Sequence, residues 1–294
     1  WQNPVTMKEL RGRMRGRRAF TILTVYLMVM SLFISLVYLA YASSLSPSNS
    51  ADLRIAGKVV FTAVIGVQVF LVIFIGPSFT AGAISGEKER QTFDLLRTTL
   101  LSANSLVSGK LLSALSYVYL LIIASIPLIS ISILLGDLSH SELVVSQIIL
   151  IVAAITFAIF GLYCSSIMRS TMAASVSTFA GALLITVGLP LIVFMFTFIL
   201  GPLLFAGSGP PPAAEAALAF GLAMLAGLNL PATLIVSDLF LIEENALFLV
   251  ELPLSGSSTV CLISPWITFL VFYTLLAVLF YWLTVRRVRR IANS

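Results

Sequence analysis

The side chains able to act as nucleophile, base or metal ligand are sparse in this 294-residue chain and form no catalytic pattern. His140 is the single histidine, within a short stretch Gly136–Glu142 that reads as a solvated loop. Serines, threonines and the two cysteines could attack a carbonyl only with a base in reach, and the apolar stretches that hold most of them supply none. Two Gly-Lys pairs, Gly57-Lys58 and Gly109-Lys110, lack the following hydroxyl and the earlier glycine of a phosphate-binding loop. No ATP site is therefore expected in this chain, and no enzymatic activity. What does stand out is residues 86–97, Gly-Glu-Lys-Glu-Arg-Gln-Thr-Phe-Asp-Leu-Leu-Arg, a dense cluster of mixed charge far from either basic end. Glu87-Lys88-Glu89-Arg90 opens like a short helix with acids near its N-terminus, where the dipole favours them. Phe93, Leu95 and Leu96 give it an apolar side that a merely solvated loop would not need, which points to docking or gating.

The elements that must position this cluster are written in the composition. Hydrophobic residues make up 59% of the chain and charged residues 10%, far from the mix of a soluble domain. Uncharged runs from Val59 to Gly86 and from Leu111 to Gly136 flank the cluster. Each exceeds the roughly 20 residues that cross a bilayer as helix. The expected fold is an all-α polytopic membrane protein, one domain of six spans: Ala19–Ala42, Lys58–Thr80, Lys110–Leu135, Leu143–Met168, Thr171–Leu204 and Ile263–Val285. An interruption is expected at Gly76-Pro77, and kinks at Pro127 and Pro190. Residues 1–18, with Asn3-Pro4 as helix start and basic residues around Leu10 and Met14, read as an interfacial helix. No cleavable signal is expected, because the first apolar run is too long for one and lacks an Ala-x-Ala exit.

Charge fixes the orientation. With the N-terminus inside, fifteen of the 17 basic residues fall on inner segments and only Arg54 and Lys58 on outer ones. Both termini and the 81–109 hairpin then face the cytoplasm of a multi-pass protein in the cell (inner or plasma) membrane. Basic residues pressed against span ends suit anionic lipid headgroups, so membrane lipids are expected partners and nucleic acid is not. The same topology puts Cys164 and Cys261 near opposite membrane faces, which excludes a disulfide between them and any metal site on the pair.

Between the fifth and sixth spans, 205–262 contains the break Gly207-Ser-Gly-Pro-Pro-Pro212 and then apolar stretches too interrupted to cross. Two shorter outer helices are expected, Ala213–Leu228 and Ala232–Leu249, re-entering the membrane or capping it. Asp238, Glu243, Glu244 and Glu251 make this cap acidic, which first of all keeps an outer surface soluble. Inside the spans polar residues are few. Gln68, Tyr117 and Thr178 are candidates for a substrate pathway or a dimer interface, and an interhelical hydrogen bond is an equal reading for Gln68. An ion-driven carrier would need buried acids, lysines or histidines near mid-membrane, and the spans hold none there.

Three stretches together resemble a known family. Asn3-Pro4-Val5, followed by Lys8-Glu9-Leu10-Arg11, is similar to the segment that leads into the first span of ABC-2-type transporter permeases. Gly86 to Leu96 resembles their "GEKERGTLELL" segment between the second and third spans. Thr98-Thr99-Leu100-Leu101-Ser102 and Ser108-Gly109-Lys110-Leu111 are similar to its continuation, with Leu100 where the pattern has proline. The resemblance implies that two permeases, identical or homologous, pair above two cytosolic ABC ATPase subunits, which carry ATP and Mg. It implies further that Lys8, Glu9 and Arg11 contribute to the ATPase contact. By the same resemblance Gly86, Glu87, Lys88, Glu89, Arg90, Thr92, Phe93, Leu95 and Leu96 belong to a coupling and gating region. The resulting reading is the permease subunit of an ATP-driven exporter of a lipidic, amphipathic or hydrophobic substrate. Its rival is a membrane scaffold or assembly subunit that moves nothing.

Overall fold

The computed structural model describes residues 17–42, 50–91, 102–136, 139–204, 212–244, 247–253 and 259–293. The expected N-terminal helix with Lys8, Glu9 and Arg11, and residues 205–211 of the expected break, lie outside them. Eleven α-helices follow in chain order among the described residues, with one β-hairpin near the end. They are α1 Arg17–Ala42, α2 Ser50–Ala81, α3 Ser85–Glu89, α4 Ala103–Ala124, α5 Ile126–Gly136, α6 His140–Ile167 and α7 Thr171–Leu183. A single π-helical turn at Leu184–Gly188 leads into α8 Leu189–Leu204, followed by α9 Pro212–Gly227 and α10 Leu230–Glu244. Strands β1 Leu249–Pro253 and β2 Thr259–Ile263 pair antiparallel, and α11 runs from Pro265 to Asn293. Among the described residues six helical stretches are long and apolar enough to cross a membrane. Helices are what such a sequence must form there, because lipid offers no partner for an unpaired backbone group.

Packing divides the chain into two compact units, residues 1–179 with 276–294, and residues 180–275. In the first, α2 is the hub and touches α1, α4, α5 and α6. Val64 and Val72 of α2 are buried with Val118 and Leu121 of α4 and with Ile149, Leu150, Ala153 and Phe157 of α6. Small residues let the backbones close up. A Cβ on Gly161 of α6 would lie 3.3 Å from the Pro77 carbonyl and the Thr178 methyl, and would overlap the Thr80 hydroxyl. The burial gradient suits a lipid environment: 61% of the most apolar stretch of α6 is buried, against 11% for α1, whose leucines, valines and phenylalanines face outward.

In the second unit α9 packs on α10 and on β2. A Cβ on Gly227, at the end of α9, would meet the Thr268 side chain at 2.8 Å and the Pro265 carbonyl at 3.1 Å, so only glycine allows that approach. Tyr273 stacks on Phe269 with ring centroids 3.9 Å apart and donates its hydroxyl hydrogen to the Leu228 carbonyl at 3.1 Å.

Several boundaries differ from the sequence expectation, each for a local reason. The second span starts at Ser50 and passes through Gly76-Pro77 without interruption to Ala81. Pro77 removes one helical donor, the Thr80 hydroxyl bonds the Pro77 carbonyl at 3.2 Å, and the packed neighbours hold the rest. The third span starts at Ala103 rather than Lys110, because Ser102 caps the Ser105 amide, and it breaks at Ser125, two residues before Pro127. The fourth starts at His140, capped by Ser139, so His140 opens a helix rather than sitting in a loop. Before Pro190 the helix widens into the π-turn. The two short helices expected over 213–228 and 232–249 are α9 and α10, but Leu249 and Ile263 both belong to the β-hairpin. The fold is thus the expected all-α one in its membrane-length helices, with one short β-hairpin added before α11. Residues of the Val-Glu-Leu and Thr-Val-Cys-Leu-Ile type favour strand, and α11 waits for Pro265 at its first position.

Candidate coupling site

Helix α3 continues the α2 column after a tight turn at Gly82–Ile84, where the Gly86 amide bonds the Gly82 carbonyl at 3.0 Å. The stretch from Gly57 to Glu89 runs 33 residues. Crossing the hydrocarbon takes roughly 20, so the charged turn at its end extends past the lipid. A Cβ on Gly82 would press within 2.9 Å of the Thr171 methyl, so a larger residue here would have to displace that side chain. At the far end Gln91 adopts φ 56°, the left-handed conformation in which helices terminate and which glycine adopts most easily.

The charges of α3 are engaged within the fold. Glu87 pairs with Lys110 of α4 at 2.6 Å, and Lys110, only 4% exposed, also donates to the Ala83 carbonyl at 2.9 Å. Lys88 donates to the Ser166 carbonyl at 2.6 Å. The Ser165 hydroxyl accepts from the Ile84 amide at 2.9 Å and the Ser85 amide at 3.0 Å, capping α3 from the last turn of α6. Glu89 accepts from the Thr171 amide at 2.8 Å and from the Thr171 hydroxyl, which ties α3 to the first residue of α7. Those two bonds, the hydroxyl's first, hold the Glu89 carboxyl below its ordinary pKa. The Arg90 and Gln91 side chains are exposed. Thr92, Phe93, Leu95 and Leu96 lie outside the described residues.

A push on the exposed end of α3 thus reaches α4, α6 and α7 directly, not only α2. Sequence reasoning found the charged segment but missed Ser165, Ser166 and Thr171, which bind it. It also counted Lys110 as a loop charge, whereas it is a buried anchor. Nothing in a single sequence links residues some 80 positions apart.

The other residues singled out lie apart from this site. Gln68 is fully buried, donates to the Ser125 hydroxyl and accepts from Gln147 at 3.2 Å. Ser125 in turn donates to the Ile122 carbonyl at 2.6 Å, so this network sits at the α4–α5 break. Tyr117 packs edge-on to Phe79 with centroids 5.2 Å apart, and Thr178 donates to its own helix at Ala174. Gln68 and Thr178 thus have hydrogen-bond partners within the chain, whereas the buried Tyr117 hydroxyl has none among the described residues. Towards the other end of α2, Lys58 pairs with Glu142 of α6 at 2.7 Å. Ion pairs therefore clamp α2 and its continuation α3 to the bundle at both ends. Both cysteines are free thiols, Cys164 buried and Cys261 exposed. No protein-family model matches this chain, and no curated protein matches it.

Proposed function

We propose that this chain is the permease subunit of an ABC-2-type transporter, lying in the cell membrane with both termini in the cytoplasm. A separate cytosolic ATPase docks on the exposed end of α3 and the segment that follows it. The observation that carries this reading is the Gly86–Leu96 segment, whose described part is a short helix lashed to three neighbours with Arg90 and Gln91 outward. Gln91 stands where the family segment has glycine, the residue its left-handed backbone favours.

The mechanism follows from the lashings. ATP-driven closure of the partner moves α3, and Lys110, Ser165 and Thr171 carry the displacement into α4, α6 and α7. Two paired permeases then part along their contact and release cargo. Lipidic, amphipathic or hydrophobic cargo suits spans without buried charge near mid-membrane. Affinity purification of the full chain from its own host tests the reading: a cytosolic ATPase with a phosphate-binding loop co-purifies. Recovery of a stable membrane complex with no ATPase in it replaces transport by the scaffold role.

A further inference from the structure

Where α11 leaves its apolar stretch, Arg286, Arg287 and Arg290 line one concavity of about 450 Å³ together with Tyr163, Ile167 and Leu283. All six belong to the first compact unit. The tendency of basic residues to follow a span accounts for their number. It does not account for three of them converging on one hollow against the end of α6, while Arg289 is not among the lining residues. Arg286 and Arg290 are four residues apart and so share a helix face, where like charges repel. Among the described residues no carboxylate pairs with any of the three. The excess is felt nearby: burial first, and then the Arg287 charge, push the Lys88 ammonium below its ordinary pKa. One side of the hollow is apolar, with Ile167 39% exposed. Trp282 is 54% exposed one turn back, under the Arg286 guanidinium at 5.1 Å from its ring centroid.

We propose that this hollow binds the phosphate of an anionic phospholipid, held by Arg286, Arg287 and Arg290, with its acyl chains lying along Ile167, Leu283 and Trp282. Guanidinium forks suit phosphate oxygens, and an interfacial tryptophan suits the junction of headgroup and chain. A soluble phosphate would use the arginines but gain nothing from the apolar wall. The inference does not depend on whether an ATPase docks at α3.

The test uses the full chain in nanodiscs of phosphatidylcholine, titrated with phosphatidylglycerol brominated on its acyl chains. The readout is the part of the tryptophan quenching that Trp282→Phe abolishes. Each arginine near an anionic surface strengthens association roughly fivefold, so R286Q/R287Q/R290Q moves half-quenching to a lipid fraction on the order of 100-fold higher. R289Q, which removes one charge outside the hollow, shifts the curve by less than R287Q does. Should the triple variant fail to insert, R287Q alone shows a shift of about fivefold, and R286K/R287K/R290K inserts and keeps most of the preference.

Four results overturn the proposal. Equal quenching by brominated phosphatidylcholine and phosphatidylglycerol removes the anionic preference, and a shift by R289Q as large as that of R287Q makes it diffuse. Inorganic phosphate that abolishes the preference while itself raising Tm assigns the site to a soluble ion. Loss of a co-purifying protein in the triple variant with lipid quenching unchanged assigns the face to that protein instead.

Discussion

Removing the carboxylate of Glu87 strands the ammonium of Lys110. The two lie 2.6 Å apart, with Lys110 4% and Glu87 26% exposed, so the cost falls unequally on them. Glu87→Gln takes the carboxylate from a buried cation that keeps the Ala83 carbonyl as an acceptor. Taking one partner from a buried pair costs about 3–5 kcal/mol, and the partial exposure of Glu87 brings this to about 2–3 kcal/mol. Lys110→Met leaves the carboxylate at a partly wet edge and fills the buried channel with an unbranched side chain, for about 1 kcal/mol. The double variant then costs little more than Lys110→Met alone, a coupling of about 2 kcal/mol. Reversible unfolding of the four proteins in mixed micelles, followed by circular dichroism, measures this cycle. Equal single-variant losses that add in the double variant within about 0.5 kcal/mol would refute the buried clamp.

Asn229 satisfies the carbonyl that Pro190 leaves without a donor: its side-chain amide donates to Ile185 at 2.9 Å and Thr186 at 3.0 Å, and its oxygen caps the Ala232 amide at 3.0 Å. Asn229→Leu accordingly lowers stability by about 2–4 kcal/mol, read as the same unfolding midpoint shift. Gly161→Ala forces a methyl against Thr80 and the Pro77 carbonyl and costs about 1–3 kcal/mol, while Ala154→Gly two turns earlier on the same face costs about 1 kcal/mol. The Glu89–Thr171 tie has a definite pH sign. Its carboxyl is lowered in the folded protein, so the tie is intact above the ordinary carboxylate value of 4.5 and lost as pH falls below it. Hydrogen exchange of the Thr171 amide therefore quickens relative to neighbouring amides as the pH falls below the ordinary carboxylate range, and Glu89→Gln abolishes that acid-specific change.

The spans were legible because they rest on one-dimensional evidence, runs of apolar residues long enough for lipid and interrupted by charge. Pro127 and Pro190 also announced their breaks, since proline acts on its own backbone. What sequence could not show was pairing at a distance. Asn229 reads in the sequence only as part of an interruption in an apolar stretch, and only the fold brings its amide to the turn before Pro190. Lys110 reads as a charge marking a membrane face, and only the fold buries it against Glu87. The β-hairpin escaped because Leu249–Pro253 and Thr259–Ile263 are short apolar runs, in which strand and helix look alike without length to decide. The resemblance pointed to residues 86–96 as a surface to be pushed. The geometry adds that Glu87 and Lys88 are half-buried lashings and that Glu89, though exposed, is tied to Thr171, so substitutions there loosen the bundle as well as any docking.

That distinction sets the most direct test of the central claim. The ATP turnover of the co-purified ATPase is measured with wild-type chain, with Arg90→Glu and with Phe93→Ala, the chain's Tm being followed in parallel. Stimulation by the wild-type chain, reduced about tenfold by either substitution at unchanged Tm, is the predicted result, a loss of about 1.4 kcal/mol at the contact. An ATPase whose turnover is the same with wild-type chain, with either variant and with no chain at all contradicts the account.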